Sequence, residues 1–128
     1  MKLLLDTNIL LLSAIGNLPS RAEELIIDPR NNLYYSAAAI WEIVIKTQID
    51  KLGLNMSTKS FEAEIRNRAY RALSITSEHV HMIGILPNIH KDPFDRIMIA
   101  QAYAEGMSFI TTDKTLANYG DVVLFCPK

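Results

Sequence analysis

An α/β fold with a mostly parallel central sheet and helices on both faces is predicted for this 128-residue chain by three observations. Short apolar runs of strand length alternate with longer stretches of helical spacing from end to end. The first run, "LLL" before Asp6, is apolar on consecutive positions, as a strand buried on both faces is. No repeat, linker or low-complexity segment interrupts the alternation, and a hydrophobic content of 49% is enough for the core of one compact domain, so residues 1–128 are expected to form one domain.

The elements follow in order. "KLLLD" is the first strand, with Asp6 at its C-terminal end, and "TNILLLSAI" continues with helical spacing. Ser20 with Glu23 three residues on reads as a capping box, and Asp28-Pro29 with Asn31-Asn32 ends that helix in a turn. Residues 33–36, "LYYS", form the second strand, and "AAAIWEIVIKTQIDKLG" a long helix closed by Gly53 at C′. The amphipathic stretch "TKSFEAEIRNRAYRA" precedes a strand at 73–75, and Thr76 or Ser77 caps the next helix. A helix opened by Asp92-Pro93 stops at Gly106, a strand follows at 108–111, then a turn through "TDKTLANYG" and a last strand "VVLF" at 122–125.

Several function classes are excluded by bulk properties. No apolar run approaches the length of a membrane span, and Lys2 followed by Asp6 makes a poor signal peptide, so a soluble, cytoplasmic protein is expected. The single cysteine, Cys126, cannot form an intrachain disulfide and reads as a packed or frayed terminal residue. A net charge of −1 provides no global field for nucleic acid, so any such partner needs a local basic patch.

Four carboxylates, Asp6, Glu42, Asp95 and Asp113, carry the functional signal, each with a structural alternative, and a fifth, Asp92, is read as structural. Asp92, before a proline at the first helical position, is an N-cap. Asp95 stands at the third helical position, where it can be a capping-box partner, a charge favoured by the helix dipole, or a functional acid. Glu42 is the only charge between Ala37 and Ile45; it either pairs with Lys46 one turn on or points into a polar cleft. Asp6 can cap the first helix, and Asp113, after Thr111 and Thr112, can make an Asx-turn.

Together, two acids at strand ends, one at a helix start and one on a buried helix face suggest a converging acidic pocket. Mutual repulsion would oppose it unless a hard divalent cation, Mg²⁺ or Mn²⁺, held it together. An all-oxygen site of this kind suits phosphodiester hydrolysis better than zinc chemistry, and His79, His81 and His90 lack a convincing zinc pattern. His90, in the loop before Asp92, could approach substrate.

The segments "LLLDTNILL", "SAAAIWEIVIK", "HKDPFDRIMIAQA" and "FITTDKTLANYG" occur in an order that resembles the PIN-domain ribonucleases, and more narrowly the toxins of VapC-type toxin-antitoxin pairs. The resemblance covers essentially the whole chain. It implies a PIN-like three-layer α/β/α sandwich and a metal-dependent endoribonuclease in which metal-activated water attacks an RNA phosphate. It places the family's acids on Asp6, Glu42, Asp95 and Asp113, with Asn8 and Thr111 as accompanying polar residues. Some relatives carry a further acid after the last of these, whereas here Lys114, Thr115 and Leu116 follow, which argues against a stably bound second metal. The resemblance also implies a homodimer and a small antitoxin whose C-terminal segment covers or perturbs the pocket.

RNA phosphates would have to be met locally. Arg66, Arg68 and Arg71 lie within two helical turns, with Tyr70 as a stacking partner, or else form a solvated face paired with Glu62 and Glu64. Lys46, Lys91 and Arg96 lie closer to the acids, and Arg96 can orient Asp95. Two other α/β enzyme and signalling classes fit less well: a receiver domain would need an acceptor aspartate where Thr76 and Ser77 stand, and a haloacid-type phosphatase an aspartate at Asn8. A PIN-like scaffold with a dead site would be expected to have lost at least one of the four acids.

Overall fold

The computed structural model describes residues 1–49 and 52–128. Among the described residues five strands, β1 (Lys2–Leu5), β2 (Asn32–Ser36), β3 (Arg71–Leu73), β4 (Ser108–Thr111) and β5 (Val123–Phe125), alternate with six helices. These are α1 (Thr7–Ala14), α2 (Ser20–Ile27), α3 (Ala37–Gln48), α4 (Thr58–Asn67), α5 (Ser77–Ile83) and α6 (Pro93–Glu105), with a 3-10 helix at Lys114–Tyr119.

The strands form one sheet in the order β3-β2-β1-β4-β5, and every pairing is parallel. The chain steps outward from β1 to β3, then returns to the other side of β1 and steps outward again. By the right-handed rule for parallel crossovers, the two series of connections lie on opposite faces, and the reversal falls between β1 and β4. This is the topological switch point, where α/β sheets bind ligands beyond the strand ends. Asp6 leaves β1 there and Asp113 follows β4. Leu3, Leu4, Leu5, Phe109 and Ile110 on these two central strands are wholly buried, with Met98 and Ile99 of α6, so the core lies directly under that edge. Among the described residues no helix is long and apolar enough to cross a membrane.

α6 is built as its sequence reads. The Asp92 carboxylate accepts the Phe94 amide at 2.9 Å, Pro93 takes the first helical position, and Gly106 ends the helix in the left-handed region at φ 67°. His79, buried in α5, closes a capping box with Thr76: its Nδ1 accepts the Thr76 amide, so Nε2 carries the proton and donates to Glu105 at the end of α6.

Several boundaries differ from the sequence expectation. Ser20 is already helical and Pro19 precedes it as the cap, so the Ser20–Glu23 capping box does not form. α3 ends at Gln48 with Ile49 as its C-cap, and Gly53, although at φ 61°, does not close it; Asp50 and Lys51 lie outside the described residues. β3 occupies 71–73 rather than 73–75, because its register pairs Leu73 with Ser36, and Ser36 leaves β2 to cap α3, so Ser74 and Ile75 have no partner strand. The turn after β4 is a 3-10 helix, and β2 and β5 begin at Asn32 and Val123.

Candidate active site

Asp6 is placed by both of its neighbours. Its amide donates to Ile110 of β4 at 3.0 Å, extending the ladder one residue, while its carbonyl accepts from Leu10 and begins α1. Its side chain does not cap that helix. It turns instead toward β4, where Oδ2 accepts the Thr111 hydroxyl at 2.6 Å, and only 7% of the residue is exposed. Thr111 Oγ1 in turn accepts the Asp113 amide at 3.0 Å, so one hydroxyl ties the end of β1 to the turn after β4. Asn8 makes a parallel tie, its amide donating to Thr112 Oγ1 at 3.0 Å.

Glu42 realises both of its readings at once. It is 8% exposed, its Oε1 accepts the Thr7 hydroxyl at 2.7 Å, and its Oε2 pairs with Lys46 Nζ at 2.8 Å. Lys46 is held protonated chiefly by this hydrogen bond, with further help from the charges of Asp92 and Asp6.

Asp95 is not a capping-box partner, since the Asp92 amide that such a partner would bind donates instead to His90 Nδ1 at 3.2 Å. Among the described residues Asp95 accepts no hydrogen bond, although it is 9% exposed. Burial first, then the negative charges of Asp6, Asp92, Glu42 and Asp113, push its carboxyl up to about 8. Asp6 is pushed up to about 6, again by burial first, against the stabilising Thr111 hydrogen bond and with Glu42 and Asp113 adding to the rise. Helix dipole and Asx-turn effects are present too: Asp95 lies in the first turn of α6, and Asp113 Oδ1 accepts the Thr115 amide at 3.0 Å. They are too small to explain why these acids are gathered at one edge.

His90 stands in this group as well, closer to the acids than its place in the loop before Asp92 suggests. Its Nε2 is 3.5 Å from Asp113 Oδ2 and its Nδ1 is 3.7 Å from Asp95 Oδ2. One donor atom from each of these three residues falls within 4.8 Å of the others. The available signal was local: a histidine two residues before the N-cap of the helix that carries Asp95 is carried by the same rigid helix start.

The basic residues are distributed otherwise than expected. Arg96 forms no bond to Asp95. It donates to the carbonyls of Pro87, His90 and Ile83, to Asn88 and to the Tyr119 hydroxyl, at 3.3–3.5 Å, and so anchors the loop between α5 and α6. Arg66, Arg68 and Arg71 do not share a helix, because α4 ends at Asn67 and Arg71 opens β3. Arg66 contacts Tyr35 and Glu62, and Arg68 binds the carbonyls of Ser13 and Ala14. Tyr70 is buried with its hydroxyl 2.6 Å from Ser13 Oγ, so it offers no face for a base. These arginines line a cavity of about 530 Å³ with Asp28 and Asn32, where the strands begin and away from the acids. Lys46 pairs with Glu42 at the acidic edge, and Lys91 is exposed beside the Asp92 cap in the chain.

Comparison with solved structures places this arrangement in a known fold. VapBC2 from Rickettsia felis bound to a DNA fragment from its promoter is similar with a TM-score of 0.69 and 16% identity, over 98% of this chain and 97% of the other. A toxin-antitoxin complex from Klebsiella pneumoniae gives 0.65 and 18% over 98% of both chains, and FitAcB from Neisseria gonorrhoeae 0.66 and 19% over 96% of both. At these identities the likeness shows a shared fold. Comparison with curated proteins gives no match. The sequence profile of the PIN domain matches residues 3–122, which is nearly the whole chain, and with the five-stranded parallel sheet and the acids at its switch point, the chain belongs to the PIN-domain family.

Proposed function

We propose that this chain is a divalent-metal-dependent endoribonuclease, the toxin of a VapC-type toxin-antitoxin pair. The observation that carries the reading is Asp95: a buried carboxyl with no hydrogen-bond donor among the described residues, beside four other negative charges, held near neutrality only by a rise to about 8. A group in that position is either protonated or balanced by a cation.

The donor set fits such an ion. Asp6, Asp95 and Asp113 would hold Mg²⁺, with Mn²⁺ as a substitute, because both are hard cations that take carboxylate oxygens and retain waters. Glu42 completes the acidic set from α3, its two oxygens already engaged by Thr7 and Lys46. When bound, the ion would supply Lewis acidity toward a phosphodiester and a water of lowered pKa. The chain's own residues prepare the site for it. Thr111 fixes one oxygen of Asp6 and the backbone of Asp113, and the Thr7 backbone also stabilises the ionised Asp6 carboxylate. Lys46 and Lys91 supply positive charge at the rim for the phosphates flanking the scissile one.

The partners proposed are RNA as substrate, a second copy of the chain, and a small antitoxin. Similarity to a toxin-antitoxin complex and to VapBC2 on promoter DNA supports the antitoxin. Exposed apolar side chains, among them Trp41 at 57%, Ile15 at 72% and Ile85 at 77%, supply surface for such partners to cover. The test is cleavage of a structured RNA pool by antitoxin-free protein, titrated with Mg²⁺ and Mn²⁺, against a matched DNA pool. Metal-dependent cleavage of RNA in preference to DNA supports the reading; binding without cleavage of either pool or of total cellular RNA replaces it with a non-catalytic PIN module.

A further inference from the structure

We propose that His90 is a positioning residue of the acidic site, which directs Asp113 through a protonated Nε2 and does not itself ligate the ion. This assignment rests on the reading of the acids as a divalent-ion site.

At first sight the three-residue cluster invites the other conclusion. His90, Asp95 and Asp113 offer atoms within 4.8 Å of one another, a spacing that a shared cation could span. The hydrogen bond at the opposite side of the ring decides against ligation. The Asp92 amide donates to His90 Nδ1 at 3.2 Å, which requires a lone pair on that nitrogen. A neutral imidazole has one N–H and one lone pair, so its proton is then on Nε2. A protonated nitrogen cannot ligate a metal, and the Nδ1 lone pair is already committed. What Nε2–H faces is Asp113 Oδ2, at 3.5 Å. The same residue logic operates at His79, where Nδ1 accepts the Thr76 amide and Nε2 donates to Glu105.

The ring is held in this attitude from several directions. The His90 amide donates to the Tyr119 hydroxyl at 3.0 Å, and the His90 carbonyl accepts from Arg96. Tyr119 closes the 3-10 helix that begins just after Asp113. Arg96 follows Asp95 on α6, and its guanidinium also reaches the Tyr119 hydroxyl. The loop bearing His90 is therefore locked to both elements that carry the acids it faces. Asp113 is in consequence held at Oδ1 by the Thr115 amide and faces the imidazole at Oδ2, 3.5 Å away. Outer partners of this kind orient a ligating carboxylate and commonly change metal affinity by about 10- to 100-fold. Because His90 contributes no nitrogen to the ion, the site keeps its all-oxygen character and its preference for hard cations.

The experiment measures Mg²⁺ and Mn²⁺ affinity by calorimetry for the wild type and for His90→Ala, His90→Asn and His90→Gln, with circular dichroism as the folding control. Ring ¹⁵N chemical shifts of His90 are followed during Mg²⁺ titration. Glutamine can keep a donor at the reach of Nε2, whereas asparagine keeps only an acceptor at the place of Nδ1. The expected result is a loss of about 10-fold or more for both ions in the alanine and asparagine variants, equal for Mg²⁺ and Mn²⁺, and substantial recovery in the glutamine variant. The ring shifts should report the Nε2–H tautomer before and after saturation. A selective loss of Mn²⁺, or loss of the Nε2 proton on Mg²⁺ binding, makes His90 a ligand and overturns the proposal. Unchanged affinity in folded His90→Ala overturns it with the ion site intact, whereas a wild type that binds neither ion overturns the ion site and this assignment together.

Discussion

A single hydroxyl decides how the first and fourth acids behave. Thr111 Oγ1 donates to Asp6 and accepts from the Asp113 amide, so it lowers the cost of ionising a buried carboxylate while keeping the following turn in place. Thr111→Val keeps the shape and removes both interactions. It is expected to destabilise the protein by about 1–3 kcal/mol, because a buried acceptor and a backbone donor lose their partner. It should also raise the Asp6 carboxyl further above about 6, since the Thr111 hydrogen bond is the strongest influence opposing burial there. The onset of ion binding would then move to higher pH, measurable as Mn²⁺ affinity from pH 5 to 8; an unmoved onset would mean that Asp6 takes no part. Legibility at this scale depended on whether a residue's role was set by its own neighbours in the chain. Asp92 as a cap could be read from Asp-Pro alone. Asp95 could not be separated from a capping-box partner, because what separates them is His90 taking the Asp92 amide, a contact fixed by the loop's path. The expectation that Arg96 orients Asp95 fails for the same reason: adjacency on a helix points the two side chains apart, and the guanidinium serves the loop instead.

Among the elements, α6 brings both readings of its first turn together, and its two ends are open to test. Asp92→Ala removes the side-chain acceptor for the Phe94 amide and should cost about 1 kcal/mol of stability in a denaturant melt, with cleavage retained. Gly106→Ala forces a Cβ into the left-handed region at φ 67°, where nothing else crowds it, and should cost about 1 kcal/mol by backbone strain alone. A loss of cleavage with Asp92→Ala, at a temperature where the variant is folded, would make Asp92 part of the chemistry. The helix ends that the sequence displayed include the Asp92-Pro93 start and the Gly106 stop of α6 and the Thr76 cap of α5, each set by residues at the terminus itself. The ends it hid are decided elsewhere in the molecule. β3 stops at Leu73 because its partner β2 stops at Ser36, and no property of "LSI" announces that. The three arginines looked like one helix face because the break after Asn67, with Ala69 at φ 67°, carries no glycine or proline to mark it.

At the scale of the whole molecule, the α/β alternation was legible because each strand between helices is a short apolar run, and the parallel sheet followed from it. The strand order then brings Asp6 and Asp113 to one edge from 107 residues apart in sequence. That gathering has a thermodynamic signature. Asp6 and Asp95 have folded-state values raised to about 6 and about 8 from an ordinary 3.8, so the protonated forms are favoured by folding. Their contribution to stability is fully present below the ordinary value and is lost as pH rises through 6 and then 8. Metal-free protein should therefore melt at progressively lower temperature between pH 5 and pH 9, as far as these two groups decide it. A divalent ion reverses the trend because it binds the ionised acids, and at about 100 times its dissociation constant it adds about 2.7 kcal/mol. Melting curves in chelator and in excess Mn²⁺ across that range check both statements; curves that do not diverge with pH would contradict them.

The most direct test of the central claim is cleavage of a structured RNA pool by antitoxin-free protein at saturating Mg²⁺, with folded Asp6→Asn and Asp95→Asn beside the wild type. Each substitution replaces an oxygen of the candidate ion site by an amide of the same shape, so a fall of more than about 100-fold is expected in both, at the scale that loss of electrostatic stabilisation at a reacting centre produces. Cleavage by either variant at the wild-type rate, or wild-type cleavage unaffected by chelator, would contradict the account.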